Sequence, residues 1–170
     1  MHREILFSES EIAARVKALA REIAASPFKP EIASPILVGA YVFASDLLRA
    51  LVNEGISLPT EFLWLRSYSG RAVTKGVSVL IGPNENFRGK NVLIIDGVLD
   101  GGHTIAKARE LMLAQGARTV LSAVVVDKAR ADAVEKADFA AFTGVEEFIV
   151  GYGMDDAGSD RALPYIGKAG

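Results

Sequence analysis

Cysteine is absent from this chain of 170 residues, and histidine occurs twice, as His2 and His103. The first absence excludes a disulfide framework and any thiolate metal site. The second excludes a histidine-rich metal centre. Charge of one sign is also lacking. The 19 Lys and Arg against 21 Asp and Glu leave a net charge of −2, and the basic surface of a nucleic-acid binder is not there. No apolar stretch approaches the ~20 residues of a membrane span. Met1-His2-Arg3-Glu4 lacks the apolar core of a signal peptide. The expectation is a cytoplasmic protein with neither nucleic acid nor membrane as a partner. Internal repeats, low-complexity tracts and linkers are missing as well. What remains is a chain half hydrophobic in composition, long enough for one domain over 1–170 with a substantial core.

The most informative stretch is residues 92–104, VLIIDGVLDGGHT. Val92-Leu93-Ile94-Ile95 reads as a strand buried on both faces and ending at Asp96. Gly97, Asp100, Gly101 and Gly102 follow, and a helical pattern starts after Thr104. A helix N-terminus has unpaired N–H groups and the positive end of the helix dipole. Glycines let the backbone close around an anion, so a phosphate fits without a lysine. Asp96 and Asp100 would repel that phosphate. They suit sugar hydroxyls, a metal ion or developing positive charge, so the loop as a whole suggests a phosphorylated sugar. An ordinary strand-to-helix loop explains the same residues from spacing alone. Neither a Gly-Lys-Ser/Thr phosphate loop nor a G-x-G-x-x-G fingerprint is present.

Elsewhere, Ser8 and Glu11 form a capping-box pattern ahead of Ile12, Val16, Leu19 and Ile23 at helical spacing, a helix ending near Ser26-Pro27. Residues 35–41 read as a buried strand with Gly39 at its end, followed by a helix to Gly55. Residues 61–68 alternate as a strand, 69–76 are polar and bounded by glycines, and 77–81 resume a strand. A turn covers 82–86. A helix over 105–115 is stopped by Gly116, and 119–126 is a further buried strand before Asp127-Lys128. Short strands are expected at 139–142 and 147–152. Alternating strands and helices indicate an α/β fold with a parallel central sheet flanked by helices. Ligands then bind at the carboxyl ends of the strands, where Val38-Gly39, residues 96–104 and Asp127-Lys128 all fall.

Residues 92–104 resemble the phosphoribosyl-pyrophosphate (PRPP) motif of type I phosphoribosyltransferases, a hydrophobic run, two acids, two apolar residues, then Asp-Thr-Gly-x-Thr. Asp96, Asp100, Gly102 and Thr104 keep their places, while Gly97 stands for the second acid and Gly101 for the first threonine. Residues 148–156, FIVGYGMDD, with Arg161 and Leu163-Pro164-Tyr165, resemble the tail of the hypoxanthine(-guanine) phosphoribosyltransferases among them. The resemblance covers roughly residue 35 to the end and implies a small C-terminal hood of short strands.

The resemblance implies transfer of the 5-phosphoribosyl group from PRPP to a 6-oxopurine, releasing pyrophosphate and a nucleoside monophosphate, with Mg²⁺ as cofactor and a homo-oligomer, dimer or tetramer, as the assembly. Asp100 would be the general base. Asp96, Asp100, Gly101, Gly102, His103 and Thr104 would bind PRPP, and Val38, Gly39 and Arg161 the pyrophosphate. Ser67-Tyr68 would open a flexible loop that closes over the site. Lys128 would donate to the purine's 6-oxo oxygen, Phe148 would stack on the ring, and the Ile149 backbone would read the base edge. Asp96 and Asp155 would hold the metal. Gly97, Val38 in place of the usual lysine, and Gly101 admit a second expectation: a PRPP- or nucleotide-binding homologue with weak, altered or no catalysis, acting as a regulator. An unrelated Mg²⁺-dependent phosphatase of α/β fold leaves the purine-side residues unexplained.

Overall fold

The fold is that of a computed structural model, which describes residues 3–67 and 76–170. Helix α1 is Glu9–Ala25. Ser8 Oγ accepts from the Glu11 N–H and the Glu11 carboxylate accepts from the Ser8 N–H at 2.8 Å, the reciprocal pair expected from the sequence. Ser26 ends the helix in extended backbone, the conformation that a following proline enforces. The buried residues Ile12, Val16, Leu19 and Ile23 form the stripe that packs α1 onto helix α2 (Tyr41–Asn53) and onto the sheet.

Six strands make the main sheet: β2 (Ile32–Leu37), β3 (Leu63–Ser67), β4 (Val77–Ile81), β5 (Asn91–Leu99), β6 (Thr119–Asp127) and β7 (Phe139–Thr143), in the order β4-β3-β2-β5-β6-β7. Every neighbouring pair is parallel except the β3–β4 hairpin at the edge. The run 92–95 shows why a central strand needs no polar face. Leu93 and Ile95 pack toward α1 and α2, Val92 and Ile94 toward helix α3 (His103–Ala114), and all four are fully buried.

Several elements differ from the sequence reading, among them the strand expected at 147–152, which is only Ile149–Val150. Strand β5 does not end at Asp96; it stays paired with β6 through Leu99 opposite Asp127, because β6 is equally long and Leu99 is buried on the α3 side. Strand β2 starts at Ile32 and carries Pro35 in its interior. By the two-residue alternation from Ala33, whose N–H donates to Pro59, the missing N–H of Pro35 falls on the side where β2 and β3 pair over only two residues. The hood is a three-stranded antiparallel sheet, β1-β9-β8, of Ile5–Phe7, Ile166–Lys168 and Ile149–Val150. It therefore recruits an N-terminal strand as well as C-terminal ones. Phe7 stacks on Phe142 of the main sheet with ring centroids 3.8 Å apart.

Between β6 and β7 the chain runs through residues 128–138 without a helix. Asp127 holds both ends of this loop. Its Oδ1 accepts from the Ala129 N–H and its Oδ2 from the Ala137 N–H. Arg109 of α3 reaches the same segment through Glu135 and Asp138, and Asp138 accepts from the backbone and hydroxyl of buried Ser122.

Candidate active site

The carboxyl ends of β2, β5 and β6 meet on one side of the sheet, and the chemistry-bearing residues are concentrated there. After β5 the chain turns through Asp100 and Gly101 into Gly102, which caps α3 with φ +80°. A Cβ at Gly102 would lie 2.7 Å from the Glu135 nitrogen, so both conformation and space require glycine. The Ala106 N–H donates to Gly102 O. The N–H groups of His103, Thr104 and Ile105 therefore precede the first intrahelical bond and are free for an anion. The Thr104 hydroxyl lies 3.4 Å from that of Ser67 at the end of β3. Tyr68, and residues 69–75 of the loop expected over 69–76, lie outside the described residues.

Asp96 sits within β5, with its Oδ1 accepting from the Gly97 N–H at 2.7 Å. Its residue surface is only half-buried, yet burial of the carboxyl pushes it up to about 7, and the Gly97 hydrogen bond opposes that only in part. No cation offsets the shift among the described residues. The second acid of the motif is not merely missing at Gly97. A Cβ there would meet Gly39 O at 3.0 Å and Met154 Cγ at 3.4 Å. That carbonyl belongs to the β2–α2 turn, where the Leu37–Val38 peptide is cis and Val38 is exposed. Gly153, with φ +100°, closes on the same carbonyl from the tail, where a Cβ would come within 2.4 Å. Glycines from three expected segments thus meet at one backbone oxygen.

Asp100 and Lys128 are brought together, Nζ to Oδ2 at 3.6 Å, with the lysine side chain 10% exposed. The Lys128 N–H donates to Leu99 O, which ties the ends of β5 and β6. Both residues line a cavity of about 420 Å³ with Ala129, Arg130, Val145 and Glu146. Arg130 takes the other Asp100 oxygen at 2.8 Å. Sequence reasoning missed Arg130 and Glu146. The one signal for the arginine was Arg130-Ala131-Asp132 beside Lys128, a pattern that any polar loop can carry.

In the tail, Phe148 is 60% exposed. Its ring is not part of the core and offers a face to a flat ligand. Its carbonyl accepts from Ala169, and Ile149 is buried opposite Lys168 of β9. The Tyr152 hydroxyl donates to Asp46 Oδ2 at 2.6 Å and moors the tail to α2. Burial raises this phenol's ionisation well above its usual range, with the Asp46 contact adding to it. Asp155 and Arg161 form a 2.7 Å ion pair, and Arg161 also donates to Gly153 O. Arg3 binds Asp160 at 2.8 Å and reaches Asp156, so the N-terminal segment braces this turn.

Among the described residues, no three His, Cys, Asp or Glu side chains stand together as a metal site. That donor set still fits Mg²⁺, which binds through one or two carboxylates and takes its remaining ligands from water and substrate phosphates. A carboxylate desolvated like Asp96, with no cation beside it, suits that role.

A sequence profile for the phosphoribosyl transferase domain matches residues 2–157. Hypoxanthine phosphoribosyltransferase of Escherichia coli K12 is 34% identical over 171 residues, 97% of this chain and 94% of that protein. Hypoxanthine-guanine phosphoribosyltransferase of Dictyostelium discoideum is 33% identical, covering 99% of this chain and 96% of the relative. Among solved structures, the hypoxanthine phosphoribosyltransferase of Trypanosoma cruzi superposes with a TM-score of 0.85 at 27% identity, over 98% and 96% of the two chains. That of Staphylococcus aureus superposes with a TM-score of 0.86 at 29% identity, over 98% and 91%.

Proposed function

We propose that this chain, which belongs to the phosphoribosyltransferase family, transfers the 5-phosphoribosyl group of PRPP to N9 of hypoxanthine or guanine in purine salvage. The products are a nucleoside monophosphate and pyrophosphate. The observation that carries this reading is the Asp100–Lys128 pair lining a cavity. The O6 and N7 atoms of a 6-oxopurine lie on one edge of the ring. A lysine donor beside a carboxylate acceptor matches that edge, and an amino group at position 6 would meet a donor with a donor.

The chain's own residues divide the work. The N–H groups of His103 and Thr104, with the Thr104 hydroxyl, hold the 5′-phosphate away from the reacting carbon, and that binding energy orients the ribose. N9 bonds to C1′ as the C1′–O bond to pyrophosphate breaks, and the N7 proton passes to Asp100. The transition state is oxocarbenium-like. Val38-Gly39 backbone groups and Arg161 receive the departing pyrophosphate. Phe148 covers the purine face, and the Ile149 backbone reads its edge. Ser67 and Tyr68 open the loop that keeps water from the cation. Asp96 and Asp155 would hold Mg²⁺, which would supply charge neutralisation on the pyrophosphate.

The same reading makes the protein a cytoplasmic enzyme, consistent with the lack, among the described residues, of any helix long and apolar enough to cross a membrane. It also makes it a homo-oligomer, dimer or tetramer. The exposed Val79, Leu80 and Ile81 of edge strand β4, with Phe62, support an apolar contact between copies. Light scattering of the purified protein checks this.

The test is nucleoside monophosphate formation from PRPP and Mg²⁺ with hypoxanthine, guanine, xanthine and adenine offered separately. Turnover with a 6-oxopurine and not adenine is the expected outcome. Asp100→Asn then lowers turnover by about 10²–10⁴-fold and leaves the PRPP KM little changed. The missing second acid, with Gly97 beside Asp96, favours one second reading, a binding protein without catalysis. Heat stabilisation by PRPP with no turnover on any base would establish it instead.

A further inference from the structure

Asp100 meets two cations. Lys128 Nζ is 3.6 Å from Oδ2, and Arg130 Nη1 donates to Oδ1 at 2.8 Å. The guanidinium is itself clamped from behind, with Nε and Nη2 donating to the two oxygens of Asp132 at 2.9 and 2.8 Å. Such a fork fixes the plane of the guanidinium and not only its distance. The loop that carries it is fixed as well. Asp127 ties Ala129 and Ala137, and the Val134 N–H donates to Gly101 O at 3.0 Å. The chain Asp132–Arg130–Asp100 is thus built on a loop anchored to the very turn that presents Asp100.

The geometry points to Arg130 as a positioning residue for Asp100, an inference that rests on the reading of Asp100 as the base. Arg130 holds one carboxylate oxygen and the rotamer of the aspartate with it. The other oxygen, beside Lys128, is left to face N7 while the lysine faces O6. A carboxylate held only by Lys128 would follow that flexible side chain to the purine oxygen and lose its aim at N7. Arg130 touches neither PRPP nor the purine in this scheme and acts through Asp100 alone.

The experiment compares the full chain as wild type, Arg130→Ala, Arg130→Lys, Asp100→Asn and the Asp100→Asn/Arg130→Ala double variant, with PRPP, Mg²⁺ and hypoxanthine. Arg130→Ala is expected to lower kcat roughly 10–100-fold, the scale of a misaimed catalytic group, with the PRPP KM and the melting temperature little changed. Arg130→Lys keeps one contact and recovers part of the loss, and millimolar guanidinium partly rescues Arg130→Ala. In the Asp100→Asn background the arginine change has almost no further effect, because the two act as one unit. Losses that multiply in the double variant, or an Arg130→Ala enzyme as fast as wild type or faster, would overturn the inference. A wild type without turnover on any purine would overturn the base reading and this inference together.

Discussion

The Asp96 carboxyl is pushed from an ordinary 3.8 up to about 7 by burial, the Gly97 N–H offsetting only part of the shift. Between about pH 4 and 7 the folded chain keeps a proton that the unfolded chain has released. Stability therefore falls as pH rises across this window, and the ionised carboxylate leaves its full cost above pH 7. Asp96→Asn keeps the acceptor and removes the charge. Its melting temperature is expected to exceed wild type at pH 8, by about 2–4 °C per kcal/mol for a chain of this size, with the gap closing toward pH 4. A pH-independent gap in thermal melts would contradict this. Lys128→Ala is expected to raise the hypoxanthine KM roughly 10–100-fold, the worth of a hydrogen bond to a charged group, and to leave the PRPP KM nearly unchanged; steady-state kinetics on both substrates decides it. That Asp100 and Lys128 fall together at the strand ends was legible, because both follow hydrophobic runs. The contact of Arg130 with Asp100 was not legible, because it comes from a loop folding back on Gly101, and no local pattern encodes that. The exposure of Phe148 was equally unreadable, since an aromatic beside Ile149-Val150 is as good a core residue as a stacking face.

Among the elements, α1, β5, β6 and α3 could be read because each carries its own signal, a capping box, an unbroken apolar run, or a glycine at the helix end. Strands β1 and β9 could not. Each has three residues, and they pair with each other across almost the whole chain, so neither has periodicity of its own. The extension of β5 past Asp96 was hidden by Gly97, which reads as the start of a loop but stays in the ladder because β6 pairs on either side of it. The link between elements that matters most for the site is the docking of the tail onto the β2–α2 turn. Gly153→Ala would force a side chain against Gly39 O at a positive φ, and a loss of about 3 kcal/mol is expected from the clash and the backbone strain together. Denaturant midpoints measure it. A parallel loss of pyrophosphate affinity is expected, because Arg161 is held by the Gly153 carbonyl.

At the level of the whole molecule, PRPP contacts would come from β2, β5, α3 and the tail, segments that join only in the folded chain. PRPP with Mg²⁺ should therefore raise the melting temperature in a concentration-dependent way, by about 2.7 kcal/mol of stability at a hundredfold excess over Kd. Absence of a shift at any concentration in differential scanning fluorimetry would count against a PRPP site. The convergence of strand ends was legible, since alternating strands and helices fix on which edge of a parallel sheet ligands gather. The closeness of Gly39, Gly97 and Gly153 was not, because each glycine reads separately as a turn signal. Their meeting also bears on the missing acid. Introducing the second acid is one substitution in sequence, yet Gly39 O crowds the position, and Gly153 crowds the same oxygen. Gly97→Asp would set its Cβ 3.0 Å from Gly39 O and 3.4 Å from Met154 Cγ, so the turn or Met154 has to give by a few tenths of an ångström to admit it, and changes there, as much as the chemistry of the site, bear on whether an acidic pair can form.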